Sequence, residues 1–335
     1  MIHSRWSGTH YEAGLSYGQA LREQGIDPFV HFRQSKARLA FTRASIPLYE
    51  TFYPAVLDEI WGMADGAGLD RDTVATFLLS MYSFAPQIHC SCFAFCADGK
   101  TMLGRNSDFF AGIAPFCDSA FYTLEHAYAF IGNTTAWTEI EDGVNECGLA
   151  VGMTFICPIR QKPGFGAGML VRCLLETCAS TREALAMLCR LPIASAQVLI
   201  LADQSGELAA VECNCERISV IRPHPNKPFV FTTNHFNNPD MQIYQPADVD
   251  DWFSKRRYET LRNAFQTGAP YTPEFAESLL SGRIGFLCQY DSAMGADTVW
   301  SSLYDLTEGV VRRAEGNPSC SAFLEDHRLN LYTRP

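Results

Sequence analysis

The character of the sequence changes at His89, and this change constrains the fold more than any other feature. Before it, about the first 80 residues carry helical spacing and helix boundaries. After it, short strand-like runs separated by turn residues come as hairpins, and the helices between them come in pairs. This order favours an α+β fold, with antiparallel sheets and helices packed outside, over a doubly wound parallel sheet.

The N-terminal part carries several helix signals. Thr9 and Glu12 form a capping box, which predicts a helix that ends near Gln24 before Gly25. Further helices are predicted over about residues 29–62 and, after a glycine-rich turn, over about residues 72–82. We therefore expect a helical segment that ends shortly before His89.

The part after His89 begins with a hairpin. Residues 90–96 and 101–104 flank an Asp-Gly turn, a sequence typical of a tight β-hairpin. Further strands are predicted at residues 149–155, 198–202, 207–213, 218–222, 229–233, 298–306 and 310–314. Helices are predicted at residues 169–178, 180–191, 251–266 and 273–280.

Composition and charge exclude several classes of protein. The 335 residues are 47% hydrophobic and 19% charged, which is typical of a folded globular chain and not of a disordered one. A net charge of −11 repels phosphate backbones, so we expect no nucleic-acid partner. No apolar run approaches the roughly 18–20 residues of a membrane span, so we expect no membrane insertion.

Thirteen cysteines are scattered along the chain, and the first residues lack the apolar core of a secretory signal. Both features are typical of free thiols in a reducing compartment, so we predict a cytoplasmic protein. Cys90, Cys92 and Cys96 would point to one face of a strand along a rigid line, whereas zinc ligands curl around the ion. The glycines of residues 164–168 lack the spacing of a phosphate-binding loop. We therefore expect no metal and no cofactor.

The segment from Cys90 to Phe109 carries the chemistry. Its hairpin returns Gly-Arg-Asn-Ser-Asp-Phe to the side of Cys90, so we expect the thiol, the Arg105 guanidinium and the Asp108 carboxylate to converge. A cationic neighbour lowers the pKa of a thiol. A free α-amine, with a pKa of about 7.7–8, can serve as the base for its own side chain. That chemistry requires cleavage of the bond between His89 and Cys90.

This segment resembles the nucleophile hairpin of the linear-amide hydrolases of the N-terminal-nucleophile superfamily, which share Cys-Ser/Thr, a hairpin and then Gly-Arg-Asn-x-Asp-Phe. Choloylglycine hydrolases, acid ceramidase and the isopenicillin N acyltransferase-like enzymes belong to this group, and the long leader before Cys90 is similar to that of the last branch. Weaker similarities occur at residues 12–18, 62–68, 145–151, 233–236 and 300–306. The resemblance implies a four-layer αββα sandwich, with two antiparallel sheets between outer helices.

The resemblance also implies a role for each matching residue. Cys90 is the nucleophile, and its freed α-amine is the base. Arg105 supports the thiolate, and Asp108 orients the amine. Asn234 donates its side-chain amide to the oxyanion, and removal of one such donor typically costs about 10²–10³ in rate.

Three further residues are candidates. Thr154 stands near the place where choloylglycine hydrolases carry an asparagine, so here only its backbone N–H would serve the oxyanion. Arg257, after Ser254, matches the family's distal arginine, but the adjacent Arg256 leaves the register open. Cys92 is the rival nucleophile, and the spacing back from Arg105 favours Cys90.

These observations leave three functions open. The first is a self-processing enzyme in which Cys90 attacks a small-molecule amide and passes the acyl group to water or to an amine. Cleavage would divide the chain into a helical segment, residues 1–89, and a catalytic body, residues 90–335, which together form one structural domain. The second is an unprocessed binding or scaffold protein of the same fold. The third is a thiol redox or metal-binding protein. A homo-oligomer is compatible with each.

Overall fold

The computed structural model describes residues 1–25, 32, 34–84, 89–247, 251–268 and 270–332. The α-helices within these residues are α1 (His10–Glu23), α2 (Lys36–Phe52), α3 (Pro54–Ala67), α4 (Arg71–Ser80), α5 (Ala167–Thr177), α6 (Thr181–Leu188), α7 (Pro239–Gln242), α8 (Ser254–Gln266) and α9 (Pro273–Leu280). Among the described residues, none of the helices is both long and apolar enough to cross a membrane.

Helix boundaries agree with the sequence where local signals are strong. α1 begins at the predicted capping box, in which the Thr9 N–H donates to the Glu12 carboxylate. The helical stretch predicted over residues 29–62 contains two helices, because Tyr53 leaves the helical region and Pro54 starts a new helix. The predicted positions 29–31 and 33 lie outside the described residues.

Helices α1 and α3 lie in direct backbone contact because glycines face each other. A Cβ atom at Gly14 would lie 1.9 Å from the carbonyl oxygen of Glu59, and one at Gly62 would lie 2.2 Å from that of Tyr11. These glycines belong to the two N-terminal segments that carry the family resemblance. Their spacing therefore has a packing reason, since a larger residue at either place would force the helices apart.

The strands are β1 (Arg5–Gly8), β2 (His89–Ala97), β3 (Lys100–Phe110), β4 (Asp118–Leu124), β5 (Phe130–Thr134), β6 (Asp142–Asn145), β7 (Leu149–Phe155), β8 (Gln197–Asp203), β9 (Leu208–Cys213), β10 (Ile218–Ile221), β11 (Phe229–Thr232), β12 (Ala296–Asp305), β13 (Val310–Glu315) and β14 (Leu324–Glu325). The first sheet has the order β1-β4-β5-β6-β7-β8-β9-β10, and the second has the order β11-β2-β3-β12-β13-β14. β1 pairs with β4 in parallel, and the other pairs are antiparallel.

Two sheets and two helical layers form the predicted αββα sandwich. The facing surfaces of the sheets enclose one apolar cluster, with Leu103 from the second sheet and Ile131 and Val198 from the first. Helices α8 and α9 cover the outer face of the second sheet, where Phe93 packs among their side chains. The N-terminal helices and α5 share a cluster on the outer face of the first sheet. The predicted fold class is confirmed.

The β2–β3 hairpin is longer than predicted. Asp98 and Gly99 both have positive φ, 52° and 74°, as a two-residue type I′ turn requires. β3 continues past the predicted end at Gly104 to Phe110, because β12 pairs with it over this whole length. The hairpin therefore lies inside the second sheet, between β11 and β12, and not at an edge.

Candidate active site

The β2–β3 hairpin presents two different faces. The register pairs Cys90 with Ser107 and His89 with Asp108. Since side chains alternate along a strand, Cys90 and Arg105 point toward the first sheet, whereas His89 and Asp108 point toward the layer of α8 and α9. The candidate site is therefore built on both sides of one strand pair.

On the first face, Arg105 lies at the centre of a buried charge cluster. Its Nη2 donates to Cys90 Sγ at 2.7 Å and to Glu141 Oε2 at 3.1 Å, and its Nη1 donates to Asp142 Oδ1 at 2.9 Å. Its Nε donates to the carbonyl oxygen of Met153 at 2.8 Å. The four ionisable side chains are fully buried. In this cluster the thiol lies against the Arg105 guanidinium, which also pairs with two carboxylates.

Sequence analysis missed Glu141 and Asp142. Glu141 also accepts a hydrogen bond from Ser107 Oγ at 3.0 Å, and Asp142 accepts from Trp300 Nε1 at 3.0 Å and from Tyr304 OH at 2.6 Å. The available signal was an adjacent acidic pair at the start of a short strand, β6. That signal does not show that the pair faces Arg105, because the contact joins two different sheets.

Burial raises the pKa of the Cys90 thiol to about 12, although Arg105 acts in the opposite direction. The sequence predicted that the cation would lower this pKa. In the intact chain, loss of hydration outweighs the guanidinium, and the Glu141 carboxylate adds a like charge. The Cys90 thiol of the intact chain is therefore protonated at neutral pH.

Asp108 lies on the second face, so the structure does not bring its carboxylate to the thiol. Its Oδ2 accepts from Tyr290 OH at 2.8 Å, its Oδ1 accepts from Thr298 Oγ1 at 2.6 Å, and Arg257 Nη1 lies 3.7 Å from Oδ2. The predicted convergence with Cys90 overlooked strand alternation, since positions 105 and 108 face opposite ways. A role for Asp108 in orienting the amine stays a prediction.

Arg257 joins the second face to the peptide at Cys90. Its Nη1 donates to the carbonyl oxygen of Cys90 at 2.6 Å, and its Nη2 donates to Asn234 Oδ1 at 2.7 Å. Its side chain is fully buried on α8, whereas Arg256 is exposed and lies over the Phe286 ring. Of these two arginines, the structure therefore brings Arg257 to the site.

Asn234 continues the line of β11 beside Cys90. The Cys90 N–H donates to Asn234 Oδ1 at 3.0 Å, and Asn234 Nδ2 donates to the carbonyl oxygen of Phe155 at 2.7 Å. The side chain therefore acts as an acceptor toward the nitrogen that cleavage would release. Asn234 Nδ2 bonds Phe155 through one of its two hydrogens, and donation by this amide to an oxyanion stays a prediction.

Cys92 and Thr154 lie in the layer between the sheets. Cys92 is opposite Arg105 in the register, yet the guanidinium reaches past it to Cys90. A Cβ atom at Gly152 would lie 2.8 Å from Cys92 Sγ, so this sulfur is packed against the first sheet. Thr154 is buried, and its hydroxyl oxygen lies 3.4 Å from that of Thr232.

His89 precedes the bond that the predicted cleavage would break. Only 2% of it is exposed, and its ring stacks on the Trp252 indole with centroids 4.2 Å apart and an angle of 19°. Burial and the nearby Arg257 charge lower the pKa of His89 to about 2, so its ring is neutral. An uncharged aromatic ring therefore occupies the second face next to Cys90.

A different buried cluster has the side chains of a metal site. His10, Glu59 and Glu176 bring their ligand atoms within 4.8 Å of one another. Arg172 occupies the space between the carboxylates, with Nη2 2.5 Å from Glu59 and Nε 2.5 Å from Glu176. The guanidinium already supplies the positive charge that a metal ion would bring.

Comparison with known families identifies the matching part of the chain. Residues 96–320, about two thirds of the sequence, match the family described as acyl-coenzyme A:6-aminopenicillanic acid acyl-transferase. The match includes Arg105, Asp108, Asn234 and Arg257, and it begins after Cys90. It confirms the resemblance that the sequence indicated. No curated protein is significantly similar to the chain.

Solved structures provide more distant similarities. An N-acylethanolamine-hydrolyzing acid amidase ortholog from Caenorhabditis elegans is 15% identical over 65% of this chain and 93% of its own, with a TM-score of 0.48. Penicillin V acylase from Agrobacterium tumefaciens is 15% identical over 73% and 88%, with a TM-score of 0.45. A conjugated bile acid hydrolase variant from Clostridium perfringens is 14% identical over 72% and 98%, with a TM-score of 0.47.

Proposed function

Because the chain belongs to the acyl-coenzyme A:6-aminopenicillanic acid acyl-transferase family, we propose that it is a self-processing cysteine hydrolase or acyltransferase of linear amides. One observation carries the proposal. Arg105 Nη2 lies 2.7 Å from Cys90 Sγ, while the Cys90 N–H is bonded to Asn234. Arg105 thus holds the proposed nucleophile, and Asn234 holds the nitrogen of the bond that this nucleophile would cleave.

Self-cleavage begins with attack of Cys90 Sγ on the carbonyl carbon of His89. The thiol proton moves to the Cys90 nitrogen as the peptide bond breaks, which leaves a thioester and a free α-amine. Water then hydrolyses the thioester, releasing the carboxylate of His89 and restoring the thiol. Arg105 stabilises the developing thiolate, and Asn234 Oδ1 accepts the hydrogen of the departing nitrogen.

The cleaved chain would use the same groups on a substrate. The α-amine of Cys90, with a pKa of about 7.7–8 in an unperturbed terminus, takes the thiol proton. The sulfur attacks the amide carbonyl, the amine product leaves with a proton, and the thioester passes its acyl group to water or to a second amine. Exposure of the thiol to water after cleavage would remove the burial that raises its pKa, and the lowering of this pKa by Arg105 would remain.

Arg257 and Asp108 are positioning residues in this scheme. Arg257 fixes the carbonyl oxygen of Cys90 and the acceptor oxygen of Asn234. Asp108 receives hydrogen bonds from Tyr290 and Thr298, and its charge lies 3.7 Å from Arg257. The second face therefore orients the backbone of Cys90, while the first face supports its sulfur.

Intact mass tests the proposal directly. We expect the wild-type chain to divide into pieces of residues 1–89 and 90–335, and Cys90→Ala to remain whole and inactive. Cys92→Ala is the matched control, since both cysteines are fully buried on the same face. Cleavage of the Cys90→Ala variant, or a new terminus at Cys92, would contradict the assignment. A wild-type chain that stays whole and inactive would favour the unprocessed binding protein instead, which the complete burial of Cys90 also suits.

Substitution of Asn234 separates an acceptor role from a donor role. We expect Asn234→Ala to slow self-cleavage by about 10²–10³-fold, the typical loss for one preorganised group. Asn234→Asp keeps an oxygen toward Cys90 and Arg257, so we expect it to recover about tenfold of that loss. Recovery by Asp would support the acceptor role. Equal rates for the two variants would show that the amide nitrogen matters instead. Melting temperatures of both variants control for simple destabilisation.

A further inference from the structure

The ring of His89 lies in an aromatic slot that we call the Trp252 slot, formed around the indole of Trp252. The two rings stack at 4.2 Å, and His89 is almost completely buried. The rings of Phe110 and Tyr290 contact Trp252 edge-on, at centroid distances of 5.4 Å and 5.6 Å. In the intact chain, a planar ring therefore covers one face of the indole, and two further rings contact Trp252 edge-on.

The backbone at Trp252 is in an unfavourable conformation. Trp252 and Phe253 have φ values of 48° and 56°, a region that bulky side chains rarely adopt. For this reason the helix predicted from residue 251 begins only at Ser254. Arg257 Nε donates to the carbonyl oxygen of Trp252 at 3.0 Å, so the same arginine that holds Cys90 also fixes the indole.

The acyl group that ends in His89 and the acyl group of the substrate take the same place in the reaction. In self-cleavage and in substrate turnover, the same sulfur carries the acyl group as a thioester. In the first reaction that acyl group ends in His89, whose ring is separated from the carbonyl carbon by Cα and Cβ. After cleavage and hydrolysis, the place of the His89 ring is open to the acyl group of the substrate.

We propose that the Trp252 slot, once vacated by His89, binds the acyl group of the substrate and selects 3-arylpropanoyl amides. This inference rests on the proposed function and names its substrate class. The two-carbon spacing follows from the atoms between the His89 carbonyl and its ring. The planar ring follows from the stack on Trp252, since aromatic pairs gain energy beyond the area they bury.

The charge of Arg257 further restricts which rings the acyl group of the substrate can carry. The His89 ring is neutral because burial and Arg257 hold its pKa far below neutrality. Arg257 remains in place after cleavage, so a cationic ring would meet a like charge in a buried space. The preferred ring is therefore uncharged, such as phenyl.

A matched pair of substrates tests the inference on the processed enzyme. N-(3-phenylpropanoyl)glycine and N-(3-cyclohexylpropanoyl)glycine share chain length and ring size, but only the first has a planar ring. We expect kcat/KM to favour the phenyl substrate by about three- to tenfold, the typical gain from an aromatic pair. Trp252→Leu should bring this ratio close to one, and Trp252→Phe should retain most of it. Trp137→Leu, which removes an indole that contacts Phe77 elsewhere, is the control for loss of a large aromatic residue.

Self-cleavage gives a second measurement, in which His89 is varied and Trp252 is left unchanged. We expect His89→Phe to cleave faster than His89→Leu, because only the former can stack on Trp252. Equal turnover of the two amides, or equal cleavage of the two variants, would overturn the inference while leaving the proposed function intact. A preference for the phenyl substrate that survives in Trp252→Leu would also overturn it. A chain that neither cleaves nor turns over any amide would remove the proposed function, and the inference with it.

Discussion

Arg105 and Arg172 are two fully buried arginines built on a similar plan. Each guanidinium binds two carboxylates, Glu141 and Asp142 in the first cluster and Glu59 and Glu176 in the second. Burial of so much charge is costly, and the gain from pairing roughly offsets it. Pairing alone therefore does not mark either cluster as a functional site.

The remaining partners distinguish the two clusters. Arg105 places its Nη2 against a thiol, whereas Arg172 lies over the Tyr122 ring at 3.9 Å. His10 Nε2 lies 2.9 Å from Glu176, so the second cluster joins α1 and α3 of the N-terminal segment to α5 of the body. A thiol in direct contact with the guanidinium therefore marks the Arg105 cluster as a candidate site, whereas the contacts of Arg172 suit a clamp between the N-terminal segment and the body.

Loss of Arg105 should have the largest effect. We expect Arg105→Met to slow self-cleavage by about 10³-fold or more, because the developing thiolate loses its charged partner. The variant should also be destabilised by about 3–5 kcal/mol, since Glu141 and Asp142 remain buried without it. Intact mass over time measures the first effect, and urea unfolding measures the second.

Arg105→Lys separates charge from geometry in the same cluster. Lysine keeps the positive charge but cannot form the fork that reaches a sulfur and two carboxylates together. We expect cleavage to remain slow in this variant. Cleavage at the wild-type rate in either variant would mean that Arg105 is structural, as Arg172 is, and the comparison would fail.

Loss of Arg172 should affect stability but not chemistry. We expect Arg172→Met to lower the free energy of unfolding by about 3–5 kcal/mol, because Glu59 and Glu176 would be buried without a cation. Self-cleavage of the folded protein should stay within a few-fold of the wild type. After cleavage, residues 1–89 should separate from the body at lower urea concentrations, which size-exclusion chromatography detects.

Arg43→Met is the control for Arg172→Met, since Arg43 forms an exposed ion pair with Asp72. Such pairs contribute about 0–1 kcal/mol. A cleavage rate that falls in parallel with that of Arg105→Met would show that the Arg172 cluster takes part in the chemistry after all.

The fold was largely predictable from sequence because its strongest signals are local. The capping box at Thr9, the Asp98-Gly99 turn and the N-cap at Thr272 each specify an element within a few residues. Strands β1, β4, β5, β6 and β14 were missed. β6 has four residues, and β5 contains a glycine and an asparagine, so neither shows a clear alternating pattern.

The candidate site was only partly predictable, because half of it is assembled between sheets. The hairpin register brings Cys90 near Arg105 through local pairing. Glu141 and Asp142 reach Arg105 across the layer between the sheets, a contact that no spacing in the sequence encodes. The rise of the Cys90 pKa was missed for the same reason, since burial is a property of the packed layers.

The smallest of these effects is the pH dependence of the clamp. Burial alone would raise the pKa of Glu176, but Arg172 and His10 lower it to about 2. A carboxyl whose folded pKa lies below its unfolded value of 4.5 stabilises the protein above about pH 4.5 and loses this contribution as the pH falls toward 2. Glu59 opposes the effect, because burial raises its pKa. We therefore expect a net loss of stability as the pH falls through this range, smaller than Glu176 alone would give. The measurement is the melting temperature by calorimetry between pH 5 and 2, in the Cys90→Ala background where we expect the chain to stay whole. Glu176→Gln should make the melting temperature fall less steeply over this range. Glu216→Gln, at an exposed ion pair with Arg160, should change that slope much less, because solvent screens this pair. An unchanged slope in Glu176→Gln would show that the Arg172 cluster is not held together by this carboxylate charge.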